Sequence, residues 1–271
     1  MNNNHTIIFH HIPKTAGTTF RSILIRQYNQ DKVYDIWGDK KLIINNFKNM
    51  SKNRRYRYKL ILGHQAFKLY DYINNPLVIT MLRSPVARVI SLYRYVKGFE
   101  WHPYYSIVNK YSLKECFING IYTEWSELSN GQFNSLKNSL FETQLMDLID
   151  IKSDENFIIK FFHQNIIFGL LESFDQSLLY FNKFIGFNNH IYYYKQKLSG
   201  YDVDIDDETI ELIKEFNSLD IKLYESTKIL FNKIINSYSD DFSNQINRFV
   251  TINKYASIYL RYKNRFLNFW D

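Results

Sequence analysis

The chain has 271 residues, 45% of them apolar, enough for one α/β domain with a large core or for two small domains. Its formal net charge of +7 favours anionic partners such as a phosphorylated cofactor, a polyanionic glycan, nucleic acid or an acidic membrane, although a modest excess is equally a solvated surface. The single cysteine, Cys116, excludes an internal disulfide and a zinc site of several cysteines, and no two of the seven histidines stand at zinc-motif spacing, so no metal is expected.

Thr6-Ile7-Ile8-Phe9-His10 is a short apolar run bounded by polar residues, as in a buried strand. No charged leader and apolar signal core precede it, and no stretch of about 18 apolar residues follows, so a soluble, cytoplasmic chain without an integral membrane segment is expected. A loop with Pro13 and Gly17 leads into a helix marked by Phe20, Ile23, Leu24 and Gln27. Residues 31–58 are polar and predict a connection with a short helix. Their basic run from Lys52 to Lys59 lacks the aromatic and glycine pattern of an RNA-binding module, so no nucleic-acid partner is expected.

Lys59 to His64 and Leu77 to Leu82 read as a second and a third strand. After the third, Ser84 and Pro85 suit the cap and first position of a helix whose buried face is Val86, Val89, Ile90 and Tyr93. Residues 96–140 are aromatic and irregular, and read as an inserted lobe or lid. Ile166 to Leu171 read as another strand. Ser173 and Gln176 stand at capping-box spacing before a helix from Phe174 to Phe184, with Gly186 as its stop. Asp206, Asp207 and Glu208 open one long helix with the apolar stripe Leu212, Phe216, Leu219, Leu223, Leu230 and Ile234. The last twenty residues read as helical, basic and aromatic.

Strands alternating with helices predict a parallel sheet covered on both faces, in a single domain over 1–271 whose C-terminal part is helical. Ligands bind such sheets at the C-terminal ends of the strands. Three polar groups fall there: Lys14 to Thr19, His64, and Arg83 with Ser84.

In the first, Thr15, Ala16, Gly17, Thr18 and Thr19 let backbone amides turn around an anion at a helix start, while Lys14 adds a charge and Thr18 and Thr19 add hydroxyls. The same residues also fit an ordinary strand–turn–helix with a surface lysine. The lysine precedes the glycine, so this is no Walker loop and the usual Mg-ATP mode is not expected. Arg83, Arg88, Ser91 and Arg94 around one helix start suit a second phosphate, or else a solvated helix face. His64 is either a hydrogen-bonded strand-end histidine or a general base.

Two of these stretches resemble a known family. His11 to Thr19 are similar to the 5′-phosphosulfate loop of sulfotransferases, especially the branch with carbohydrate 2-O-sulfotransferases, and Leu82 to Tyr93 resemble their 3′-phosphate motif. The family usually has Asp or Asn where this chain has Ser84. Gly63-His64 resembles the Gly-His of that branch, whose histidine is the catalytic base. Gly169 to Phe174 with Glu172, and Leu219-Asp220 with Leu223-Tyr224, resemble later family landmarks without a clear chemical role.

The resemblance implies a P-loop-like three-layer α/β sandwich using 3′-phosphoadenosine 5′-phosphosulfate without a metal. It implies that Lys14, Thr15, Ala16, Gly17, Thr18 and Thr19 hold the 5′-phosphosulfate, that Arg83 and Ser91 hold the 3′-phosphate, and that His64 deprotonates an acceptor hydroxyl, expected on a glycan. Lys14 would also act in catalysis, at the leaving oxygen. Lys195 and Lys197 either close over the 3′-phosphate or lie in a surface loop. Trp101, His102, Tyr104 and Tyr105 either stack on a sugar or pack within the lobe, with packing favoured. The tail from Asn253 to Trp270 is either an amphipathic terminal helix, the favoured reading, or a docking segment for a partner or membrane. A P-loop kinase and a non-catalytic nucleotide-binding protein on the same fold are the alternatives. The acceptor and the oligomeric state are not legible in the sequence.

Overall fold

The computed structural model describes residues 5–145, 155–188, 191–194 and 201–267, with side chains as far as Tyr262. Lys195 and Lys197 lie outside the described residues. The strands are β1 (Thr6–His10), β2 (Val33–Ile36), β3 (Leu60–Gly63), β4 (Pro76–Leu82) and β5 (Ile166–Leu170). They form one parallel sheet in the order β2-β3-β1-β4-β5. All residues of β1 and β3 are buried, so the middle of the sheet is covered on both faces.

The helices are α1 (Gly17–Ile25), α2 (Lys40–Lys48), α3 (Lys52–Arg55), α4 (Pro85–Lys97), α5 (Tyr105–Lys110), α6 (Leu113–Ile118), α7 (Gly131–Leu140), α8 (Glu155–Asn165), α9 (Phe174–Ile185), α10 (Asp207–Phe216), α11 (Ser218–Ser237) and α12 (Asp240–Leu267). The main core joins the sheet to the inner faces of α1, α2, α7, α8, α9 and α11, through residues such as Phe20, Phe47, Phe133, Phe162, Phe181 and Leu223. A second apolar cluster lies under α4, α5, α6 and α10. There Val89, Leu92 and Val96 meet Val108, Phe117, Trp125 and Ile213, and Cys116 is buried among them. Tyr104 stacks on Trp125 at 5.0 Å, so part of the aromatic content of residues 96–140 is packing.

The central feature for function is the strand order. From β1 the chain passes through α1 to the β2 edge, whereas from β4 it proceeds to β5 on the opposite side. The connections leaving β1 and β4 therefore diverge, which opens a crevice beyond the C-terminal ends of those two strands.

Several local expectations are corrected. β2 lies in the segment expected to be a connection; with four residues, Val33 to Ile36, it is too short for its alternation to stand out. The expected long helix is broken at Asn217, whose side chain donates to the carbonyls of Leu128 and Ile213 and accepts from the Asn130 amide. Neither Ser84 nor Ser173 caps its helix with its hydroxyl. The Ser84 amide instead donates to the Glu172 carboxylate at 2.8 Å, which ties the start of α4 to the end of β5.

Candidate active site

The crevice is a cavity of about 620 Å³. Its floor is the loop between β1 and α1, whose shape follows from two left-handed residues, Lys14 (φ 69) and Ala16 (φ 66). Left-handed conformations interspersed with ordinary ones curl successive amides toward one side, which makes a concave anion site. Ala16 has no side chain able to cap α1, so the first amides of that helix face the cavity without an internal acceptor. Thr18 and Thr19 line the cavity beside them. Thr15 does not line it: its buried hydroxyl donates to the Ile12 carbonyl at 2.9 Å and locks the turn, leaving only its backbone for a ligand.

Gly17 is required by its neighbour. A Cβ there would fall inside the imidazole of His11, which lies against the first turn of α1. His11 stacks in turn on His64 at 4.4 Å. Gly63 (φ +132) ends β3 in a conformation that disfavours a side chain, and a Cβ there would come within 2.6 Å of the Ile36 carbonyl oxygen. That bend delivers His64 to the cavity.

The His64 Nδ1 lies 2.7 Å from the His11 carbonyl oxygen. A carbonyl only accepts, so Nδ1 carries the proton and Nε2 carries the free lone pair. Burial, with the nearby Lys40 charge, lowers the His64 pKa and keeps the ring neutral near pH 7. A neutral imidazole with an unprotonated Nε2 is a proton acceptor.

Lys14 sits over the Tyr95 ring at 3.8 Å. Burial, then the Arg83 charge, lowers its pKa to about 8. Arg83 crosses from the end of β4 and donates from Nη1 to the Lys14 carbonyl at 3.1 Å. Ser91 and Tyr95, one helical turn apart on α4, present the same face to the cavity.

Arg88 and Arg94, grouped with Arg83 in the sequence, point elsewhere. Arg88 is 1% exposed, pairs with Asp220 and donates to the Glu127 carbonyl at 2.6 Å. Arg94 donates to the Val203 carbonyl at 2.9 Å. Positions 88, 91 and 94 diverge around the helix, and only 91 faces the crevice.

The later landmarks acquire a physical role as supports. Asp220 accepts the amides of Gln132 (3.1 Å) and Phe133 (2.7 Å) at the start of α7. The Gln132 side chain then holds the Arg83 backbone at both ends, accepting from its amide at 3.0 Å and donating to its carbonyl at 2.9 Å. Glu172 and Asp175 line the cavity, but protein donors engage both carboxylates: the Ser84 amide and Tyr224 at Glu172, and the Tyr193 hydroxyl, at 2.8 Å, at Asp175. Asp175 also pushes the Tyr193 pKa up, after burial.

Two further parts of the lining have no chemical role assigned from the sequence. At one end Leu171, Phe174 and Tyr193 form an apolar wall, the two rings meeting edge to face at 4.8 Å. At the other, Trp37 follows β2 and is 65% exposed. Its indole lies 5.5 Å from the Arg21 guanidinium, which is held by an ion pair with Asp35. Register explains its place: Ile36 pairs with Gly63, so Trp37 and His64 leave adjacent strands side by side. Trp101, His102, Tyr104 and Tyr105 are not among the residues lining this cavity. Among the described residues no cluster of His, Cys, Asp and Glu is arranged to hold a metal ion.

Comparison with known proteins gives this site a relationship. No curated protein matches the chain. Among solved structures, mouse sulfotransferase SULT7A1 complexed with PAP is similar at 12% identity and a TM-score of 0.36, over 78% of this chain and 63% of that one, so the chain spans less than two thirds of its relative. A family model described as the Sulfotransferase family matches residues 1–226, the stretch that contains the whole crevice. With the match covering the loops after β1 and β4 and the residues that support them, the chain belongs to the sulfotransferase family.

Proposed function

We propose that the protein transfers a sulfuryl group from 3′-phosphoadenosine 5′-phosphosulfate to a hydroxyl group of a carbohydrate. The observation that carries this reading is the Arg83–Lys14 hydrogen bond, which sets two cationic anion sites side by side in one cavity that also contains a neutral His64. A single phosphate needs one such site, whereas a 3′,5′-bisphosphorylated nucleotide needs both.

In this reading the curled backbone from Thr15 to Thr19, with the Thr18 and Thr19 hydroxyls, holds the 5′-phosphosulfate. Arg83 and Ser91 take the 3′-phosphate. The wall of Leu171, Phe174 and Tyr193 suits a flat base. The donor supplies an activated sulfuryl group on a good leaving phosphate. His64 Nε2 takes the proton of the acceptor hydroxyl as its oxygen bonds to sulfur. Lys14 offsets the charge that collects on the bridging oxygen when the old S–O bond breaks. Positioning does most of the work, as in phosphoryl transfer. Trp37 supports a sugar acceptor, because an exposed indole beside the base offers an apolar face to the C–H side of a ring.

The test pairs two measurements. The protein is incubated with radiolabelled donor and a panel of glycans, lipids and small alcohols, and its affinity for 3′-phosphoadenosine 5′-phosphate is compared with that for ATP. Transfer to a glycan with preference for the bisphosphate is expected. Tighter ATP binding with no gain from the 3′-phosphate would sink the reading in favour of a kinase. Bisphosphate binding with no transfer to any acceptor would leave a non-catalytic binder.

A further inference from the structure

α12 begins on the body of the protein and ends with an exposed face. Phe242 and Phe249 are buried, Lys183 of α9 sits over Phe242 at 4.7 Å, Tyr192 stacks on Phe249 at 5.6 Å, and Asn253 accepts the Tyr193 amide at 2.8 Å. Beyond that point the composition changes. Tyr255, Ile258, Tyr259 and Tyr262 are all exposed, and their i, i+3, i+4, i+7 spacing makes them one stripe. Lys254 and Arg261 are also exposed beside it. From Phe242 to Trp270 the sequence carries Arg248, Lys254, Arg261, Lys263 and Arg265 and not one Asp or Glu.

We propose that this face of α12 docks the protein on an anionic lipid bilayer, lying in the interface rather than crossing it. An in-plane helix needs an apolar stripe flanked by cations, and tyrosine suits the headgroup depth because its ring is apolar and its hydroxyl wet. Each cation near an acidic leaflet adds attraction of its own. Among the described residues no helix is long and apolar enough to cross a membrane. The charge pattern argues against a second copy of the chain as the occupant. A helix–helix seam sets opposite charges across its flanks, whereas two copies of this face would set cations against cations.

The full-length protein is floated with vesicles of phosphatidylcholine alone and of phosphatidylcholine with about one third phosphatidylserine, at low and at high salt. Partitioning onto the anionic vesicles is expected to exceed that onto neutral ones by roughly tenfold or more, and to collapse at high salt. The double variant Lys254→Gln/Arg261→Gln and the triple variant Tyr255→Ser/Tyr259→Ser/Tyr262→Ser should each return it to the neutral-vesicle level. Hydrogen exchange on the unmodified protein gives a readout independent of variant folding: amides of residues 250–262 should gain protection on anionic vesicles only. Equal partitioning on both vesicle types, no partitioning, or protection that appears without lipid as protein concentration rises would overturn the proposal. The last of these would make the stripe an interface between copies.

Discussion

The guanidinium of Arg83 donates to the backbone carbonyl of Lys14 at 3.1 Å, across the gap between the diverging ends of β4 and β1. One residue thus braces the neighbouring loop while its charge faces the cavity; burial lowers its pKa, Glu172 opposes that shift, and the guanidinium stays charged. The loop carrying Lys14 and the end of β4 carrying Arg83 are therefore tied together, and damage to one should be felt at the other.

Arg83→Lys keeps a charge but loses the planar fork that spans both partners. Affinity for 3′-phosphoadenosine 5′-phosphate should fall roughly 10- to 100-fold, the worth of one charge-assisted hydrogen bond. Calorimetric titration checks this. Adenosine 5′-phosphosulfate, which has no 3′-phosphate, should also bind less well, though by a smaller factor, because the Lys14 loop loses its tie. Unchanged binding of that second ligand would show that the loop holds its shape without Arg83.

Lys14 gives the site a pH dependence of known sign. Its pKa of about 8 in the free protein, against an ordinary 10.5, means that the lysine loses its proton as pH rises through 8. An anion bound beside it favours the charged form, so binding above pH 8 should take up a proton and weaken as pH rises. Calorimetry in buffers of different ionisation enthalpy measures that uptake. Lys14→Arg, which stays charged, should remove it.

His64→Ala should lower kcat by about 10²- to 10⁴-fold, the usual contribution of a general base, with little change in donor affinity. Burial holds the His64 pKa below the ordinary 6.5, so the acid limb of the rate profile should lie below that value. A limb at or above 6.5, or full turnover in the variant, would remove His64 from proton transfer.

Gly17→Ala places a methyl group where the His11 ring lies. Displacing that ring disturbs the stack on His64 and the start of α1 together. A loss of about 1–3 kcal/mol in stability is expected, as for overpacking, with a fall in turnover at the same time. Thermal denaturation and the transfer assay measure the two effects.

Trp37→Ala should raise the acceptor KM severalfold while leaving donor affinity unchanged, because Trp37 follows β2 beside the strand that carries His64, whereas Arg83 follows β4, separated from β2 by β3 and β1. A weakened donor with an unchanged acceptor would place Trp37 on the nucleotide instead.

Local physics was legible in the sequence. β1 and β4 lie in the apolar runs read as strands, α1 begins at Gly17, and the apolar-to-polar switches after β1, β3 and β4 put Lys14, His64 and Arg83 on one edge of a parallel sheet. Those features depend on residues a few positions apart, so chain order is enough to reveal them. What a helix residue faces depends on what packs against it, and there the tertiary structure decided. Arg88 and Arg94 share a helix with Ser91, yet one turns to the buried Asp220 and the other to Val203, because α7, α11 and the 202–203 segment are far away in sequence and close in space. Gln132 reaches Arg83 across 49 positions, and Trp37 lines the same cavity as His64 only because β2 pairs with β3. The sequence by itself determined the edge and its charges; the pairing of distant segments decided which side chains point into the crevice, since direction there is set by packing and hydrogen bonds between elements no local pattern connects.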